Sequence, residues 1–234
     1  MKDLTMNQPD DWEFVKKQVG IAAAELVQEG MLVGLGTGTT AKHLIEALAI
    51  RQEKGLKFSC IATSKRSEEL AQKLGLKLVP HESISQIDLT LDGADEIDAN
   101  KQMIKGGGGA LLREKIVAGA SKEMVVLVDE RKVSAKLGSF PLPIEIIPFA
   151  YQATLKHLLD LGLTFEMRAS QGSLYITDQG NYIADIQLQM PIADPHAFHL
   201  TLSDIPGVVE TGLFCDLAGR VIIGKKDGTV SIWR

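Results

Sequence analysis

Over its first two-thirds the chain switches repeatedly between a helical and a strand-like hydrophobic period, and few architectures accept that pattern. Val15, Val19, Ala22, Ala23, Leu26 and Val27 fall on one helical face, and Met31 to Val33 then form a short apolar strand. Ala41, Leu44, Ile45, Leu48 and Ala49 make a second helical stripe. Phe58 to Ala62 read as a strand, Ser64 to Leu74 as a helix and Leu76 to Val79 as a strand; Ile87, Leu89 and Leu91 mark another. A helix over 110–120 and the apolar run MVVLV at 124–128 close the series. Such alternation implies an α/β fold, with a mostly parallel sheet and helices on both faces.

The pattern changes after about residue 138. FPLPIEIIP, residues 140–148, holds three prolines and reads as a linker or an irregular edge segment. A helix through Tyr151, Leu155, Leu158 and Leu159 follows, then strands near 163–168 and 173–178 and a Gly180-Asn181 turn. A strand at 182–188, a helix near 194–203 and further strands complete the chain. This order suggests a small α+β unit packed on the main sheet. No internal repeat and no low-complexity tract interrupts it.

Bulk properties narrow the function classes. A formal net charge of −5 argues against general affinity for nucleic acid or an anionic membrane. A small phosphorylated ligand is still allowed, because it needs local N–H groups and a few cations. Two cysteines, Cys60 and Cys215, suggest reduced structural thiols and no disulfide framework. The start, MKDLTMNQPDDWE, is too polar for a signal peptide, and residues 1–10 read as a polar leader. No apolar run reaches the length that spans a bilayer. A cytoplasmic home is expected.

Four segments carry chemistry, each just past the carboxyl end of a strand, where α/β sheets build their sites. In VGLGTGTTAKH, Val33 to His43, glycines and threonines lie between a strand and a helix, which suits an anion. It matches neither dinucleotide nor Walker spacing, and a plain strand–helix turn with a threonine cap is the other reading. In LTLDGADEID, residues 89–98, Asp92, Asp95 and Glu96 crowd a strand end, without the spacing of a calcium loop. They suit a polyol, or are a solvated acidic turn. MIKGGGGALLREK, residues 103–115, has four consecutive glycines, each carrying an entropic penalty on folding. They make sense where backbone N–H groups must approach a ligand, with Lys105 before them and Glu114 in the next helix. Glu114 reads equally as an exposed acid among basic neighbours. The fourth, VDERKVS at 128–134, offers Lys132 to a phosphate or to solvent. The five histidines show no metal spacing beyond the loose pair His196 and His199. With no cofactor fingerprint and no Ser-His or Cys-His nucleophile, the set fits a sugar phosphate processed by proton transfer.

GLGTGTTA, LDGADEID, MIKGGGGALLREK, FPLPIEIIPFA and IPGVVETGLF, in this order and spacing, resemble the type A ribose-5-phosphate isomerase family. The resemblance runs from about residue 12 to the C-terminus. It implies a Rossmann-like catalytic domain from residues 1–138 and 214–234, and a small ferredoxin-like α+β domain from 139–213. It also implies a metal-free, cofactor-free, homodimeric or homotetrameric enzyme. Thr37, Gly38, Thr39 and Thr40 would hold the sugar phosphate, together with Gly93, Ala94 and Lys132. Asp92 and Asp95 would meet the sugar, Asp92 assisting ring opening. Lys105 with the N–H groups of Gly106, Gly107 and Gly108 would stabilise an enediolate, and Glu114 would move the proton between C1 and C2. Thr39 replaces a common serine and Gly109 a common alanine; the TSKRS stretch at 63–67 fits less securely. Three rivals are a sugar-phosphate sensor domain of transcriptional regulators, an amino-sugar-phosphate isomerase/deaminase, and a CoA-transferase-like enzyme with a glutamate nucleophile. The sensor should carry a helix-turn-helix and a basic patch, and neither is evident.

Overall fold

The structure, a computed structural model, describes residues 11–234; the polar leader lies outside the described residues. A six-stranded sheet forms from β1 (Leu32–Leu35), β2 (Ser59–Ala62), β3 (Leu89–Gly93), β6 (Met124–Asp129), β14 (Ala218–Gly224) and β15 (Val230–Trp233). Its order is β15-β14-β6-β3-β1-β2, parallel throughout except for the antiparallel edge strand β15. The helices are α1 (Asp11–Ala24), α2 (Thr39–Glu53), α3 (Lys65–Lys73) and α4 (Leu111–Gly119). The apolar run of β6 shows why both faces are covered. Val125 and Leu127 pack with Val19, Leu44 and Leu48 of α1 and α2, whereas Met124, Val126 and Val128 pack with Leu111 and Ala118 of α4. A strand buried on both faces has no polar alternation, and MVVLV has none.

Leu76 to Val79, read as a strand, contributes one isolated bridge from Leu78 to Cys60 at the sheet edge, since Pro80 follows at once. The segment read as a linker or edge needs a larger correction. Residues Leu142–Ile146 form β7, buried at every position and internal to a second sheet. That sheet has the order β12-β7-β11-β8, with β8 (Thr164–Met167), β11 (Tyr182–Gln187) and β12 (Val208–Thr211), all antiparallel. With α5 (Tyr151–Asp160) and α6 (Pro195–Ser203) the chain runs β-α-β-β-α-β, the ferredoxin-like connection. The prolines mislead because Pro141 and Pro148 flank the strand, and Pro143 lies beyond the ladder to β12. Leu142, Ile144 and Ile146 point into a core with Leu155, Leu158, Ala184, Ile186 and Leu202. The other face of this sheet looks toward α4, with Ile183 beside Leu111 and Phe214.

The strand read at 173–178 pairs only as β10 (Ser173–Leu174) with β9 (Ala169–Ser170). A three-stranded ribbon of β13 (Leu213–Phe214), β5 (Met103–Ile104) and β4 (Glu96–Ile97) links the two sheets. No helix among the described residues is long and apolar enough to cross a membrane.

Ile144→Ala should remove about 2–5 kcal/mol of stability, the usual cost of emptying a buried aliphatic site. Urea unfolding measures it; an unchanged midpoint would mean β7 is not an interior strand.

Candidate active site

The carboxyl ends of β1, β3 and β6 and the start of α4 enclose a cleft of about 240 Å³. At one end α2 begins at Gly38, whose φ of 109° lies where a side chain is disfavoured. Gly38 has no side chain to cap the helix, so the amides of Thr39 and Thr40 have no acceptor among the described residues. Unpaired first-turn amides attract anions. The threonine-cap reading is set aside, because the Thr37 hydroxyl turns instead to Thr63 Oγ1 and Ser64 Oγ, each 2.8 Å away. Ser67 Oγ donates to Gly36 O at 2.7 Å, completing a buried hydroxyl cluster under the loop.

Behind the cleft lies a buried ion cluster. Lys105 is 2% exposed, and its Nζ sits 3.0 Å from Asp92 Oδ2 and 3.4 Å from Glu114 Oε2. It also donates to Gly93 O. Asp92 is fully buried and accepts from Thr37 N at 3.0 Å and Gly93 N at 2.8 Å as well. Gly36 makes this approach feasible, since a Cβ there would stand 2.1 Å from Asp92 Oδ1. Burial opposes the Lys105 charge, but the Asp92 and Glu114 carboxylates outweigh it and hold the ammonium more basic than an ordinary lysine.

Glu114 is 4% exposed, in the first turn of α4, and lines the cleft. Its Oε2 has no hydrogen-bond partner among the described residues, the Lys105 contact being an ion pair outside hydrogen-bond geometry. Burial pushes its pKa up to about 8; Lys105 pulls it down, and Asp92 and Asp95 add to the rise. A solvated surface acid is therefore excluded. What remains is a desolvated carboxyl whose proton is exchangeable near neutral pH.

The glycine run turns back on itself through Gly109 N to Gly106 O, 2.9 Å. Gly107 N donates to Asp95 Oδ2 at 2.7 Å, and a Cβ on Gly107 would stand 2.8 Å from that carboxylate. The amides of Gly106 and Gly108 donate to nothing among the described residues, and both residues line the cleft. Thr37, Gly38, Thr39, Thr40, Gly93, Ala94, Asp95, Lys105, Glu114 and Lys132 line it too. Asp92 and Gly107 do not. Asp92 stands behind Lys105, and the Gly107 amide is occupied by Asp95.

Sequence reasoning misses several contributors. Lys16 of α1 and Arg131, which follows β6, also line the cleft. Arg131 forks onto Asp129 at 2.8 and 2.9 Å and stacks on Trp12 at 3.9 Å. A single lysine beside an amphipathic stripe gives no signal, whereas Thr63, Ser64 and Ser67 follow β2 and the strand-end rule could have found them. Among the described residues no group of three or more His, Cys, Asp or Glu side chains is placed to hold a metal ion.

Residues 59–228 match the family model described as ribose 5-phosphate isomerase A (phosphoriboisomerase A). The chain belongs to this family. Ribose-5-phosphate isomerase A of Protochlamydia amoebophila is 50% identical over 230 residues, covering 97% of this chain and 99% of the relative. The solved ribose 5-phosphate isomerase of Plasmodium falciparum superposes with a TM-score of 0.92 at 39% identity, over 95% of this chain and 98% of that one. A D-ribose-5-phosphate isomerase solved in complex with phospho-erythronic acid superposes at 0.90 and 35% identity, over 95% and 98% of the two chains. Family membership agrees with the resemblance read from the motifs.

Because the folded pKa of Glu114 lies above the value of about 4.3 for a free glutamate, folding takes up a proton between those limits. Stability from this site is present at low pH and is lost as pH rises toward 8. Glu114→Gln removes that titration, so its melting temperature should gain on the wild type steadily from pH 5 to pH 8. A constant difference across the window would show an ordinary carboxyl.

Proposed function

We propose that this chain is an intramolecular oxidoreductase that interconverts D-ribose 5-phosphate and D-ribulose 5-phosphate by proton transfer through a cis-enediolate. The observation that carries this reading is Glu114, a buried carboxyl lifted to about 8, beside the buried Lys105 ammonium in a cleft lined by residues with unpaired amides. That a related isomerase binds phospho-erythronic acid supports a sugar phosphate as the ligand here. The phosphate goes to the amides of Thr39 and Thr40 at the start of α2, with Lys16 and Lys132 as nearby cations. Asp95 and Ala94 face the sugar hydroxyls. Asp92, which the resemblance implies assists ring opening, is buried and also holds the Lys105 ammonium at 3.0 Å.

In the reaction the opened aldose presents its C2 proton to the Glu114 carboxylate. The electron pair moves onto the C1 oxygen, giving the enediolate; the C2 hydroxyl proton passes to the C1 oxygen, and Glu114 returns the carbon-derived proton to C1 as C2 becomes the ketone. A base with a pKa near 8 is far better matched to this transfer than an ordinary glutamate. The developing oxyanion meets the Lys105 ammonium and the free amides of Gly106 and Gly108. One pre-set donor of this kind contributes about 3–4 kcal/mol to the barrier. No step calls for a redox cofactor or a metal ion. Large apolar side chains left exposed on the second sheet and its flanks, Phe149, Met190 and Leu200, support a homo-oligomer, and two free thiols support a cytoplasmic, reducing home.

Purified protein in excess EDTA should convert ribose 5-phosphate to ribulose 5-phosphate, and Glu114→Gln should not. More than a tenth of wild-type rate in the variant would remove Glu114 from the base role. Since the base works ionised, kcat/KM should climb with pH and level off above about 8. A pH–rate profile flat between 6 and 9 would contradict the tuned base.

A further inference from the structure

Arg168 and Asp185 lie outside the cleft, and nothing in the reading above gives them a task. Arg168 follows β8 and Asp185 belongs to β11, so both sit on the second sheet. They form a side-on fork, Nε to Oδ2 at 2.9 Å and Nη2 to Oδ1 at 2.5 Å, with side chains 16% and 19% exposed. Bidentate pairing of this kind sets the plane of the guanidinium. It leaves Nη1 directed at the glycine run, where it donates to Gly106 O at 2.7 Å and reaches Gly107 O at 3.3 Å.

Those two carbonyls each share a peptide unit with the next residue's amide. In a trans peptide the C=O and the N–H point in opposite directions, and the described residues contain no cis bond. Drawing Gly106 O outward to Arg168 turns the Gly107 N–H inward, where it meets Asp95. Drawing Gly107 O outward does the same for the Gly108 N–H, which has no acceptor among the described residues and belongs to a residue lining the cleft. Without such an anchor a run of four glycines would sample many orientations. An oxyanion donor lowers a barrier only when it is aimed before charge develops.

We infer that Arg168, held by Asp185, is a positioning residue that aims the Gly108 amide at the reacting oxygen and raises turnover without touching the sugar phosphate. This rests on the isomerase reading above. It gives the second sheet a direct part in the chemistry.

The test uses the full chain as wild type, Arg168→Ala, Arg168→Lys and Asp185→Asn, measuring kcat and KM for ribose 5-phosphate, melting temperature, and the response to millimolar guanidinium chloride. Arg168→Ala should lose kcat on the order of 10²-fold, as when one oxyanion donor is lost, with KM changed by less than about threefold. Added guanidinium should restore part of kcat in that variant. Arg168→Lys should stay impaired, because an ammonium cannot hold a carboxylate side-on and span two carbonyls. If Arg168→Ala fails to fold, Asp185→Asn carries the same expectation of a kcat loss at steady KM. Variants with wild-type kcat, a loss confined to KM, or a loss that follows melting temperature with no rescue would overturn the inference. A wild type that does not isomerise ribose 5-phosphate would overturn the function itself, and an active wild type with unimpaired variants overturns the Arg168 role alone.

Discussion

The site is organised around one buried ammonium facing two buried carboxylates. Lys105 is almost fully enclosed, and a charge so placed is tolerated only if its partners sit at contact distance. Asp92 takes the closer position and is itself saturated by the amides of Thr37 and Gly93. Glu114 stands slightly farther away, at 3.4 Å, and lacks a hydrogen bond of its own at Oε2. Two negative charges against one positive leave an imbalance that a single proton relieves. Glu114, buried and lacking a hydrogen bond at Oε2, is the carboxyl whose affinity for a proton is raised. The titration is a property of the cluster, and it converts a static ion arrangement into a device for carrying a proton.

Bringing these groups together demands that separate parts of the chain end at one point. Asp92 arrives at the end of β3, Lys105 immediately after β5, and Glu114 one turn into α4. The second sheet braces this meeting point from outside. Glu145, on the side of β7 facing α4, accepts from Thr177 Oγ1 and Asn181 Nδ2, each at 2.9 Å. Burial raises its pKa, while hydrogen bonds from Asn181, Thr177 and the Leu112 amide oppose the rise. That last contact ties the first turn of α4 to the sheet, three residues before the helix reaches Lys115, whose Nζ bonds Glu210 at 2.6 Å on β12. The helix bearing the proposed base is therefore held by its neighbours along its length.

Much of this was legible from the sequence, and the reasons differ by segment. MVVLV announced a doubly covered strand because burial on both faces erases alternation. The glycine run declared a ligand loop, because packing gives no reason for four residues without side chains. FPLPIEIIP misled because proline counts against a strand interior, and only the ladder shows Pro143 sitting beyond one of its two neighbours. Asp92 and Asp95 are three residues apart in one turn, yet one is sealed behind Lys105 and the other faces the cleft. No local pattern separates them; the distinction comes from Gly36 and Thr37, more than fifty residues earlier. Lys16 and Arg168 are likewise invisible locally, each being one cation among many until the tertiary fold gives it a neighbour.

The placement of β14 carries a consequence for how the molecule is made. This strand lies parallel to β6, yet about ninety residues separate them, and the second sheet is built entirely from that interval. During synthesis the β14-facing edge of β6, apolar from Met124 to Val128, is therefore without its partner while β7 through β12 emerge. Such an unpaired hydrophobic edge is the element most prone to wrong partnerships. The high sequence separation also makes closure of β6 with β14 a late and slow event relative to the local ferredoxin-like pairing. The inserted unit thus sets how much chain must be made before β14 can close the sheet against β6.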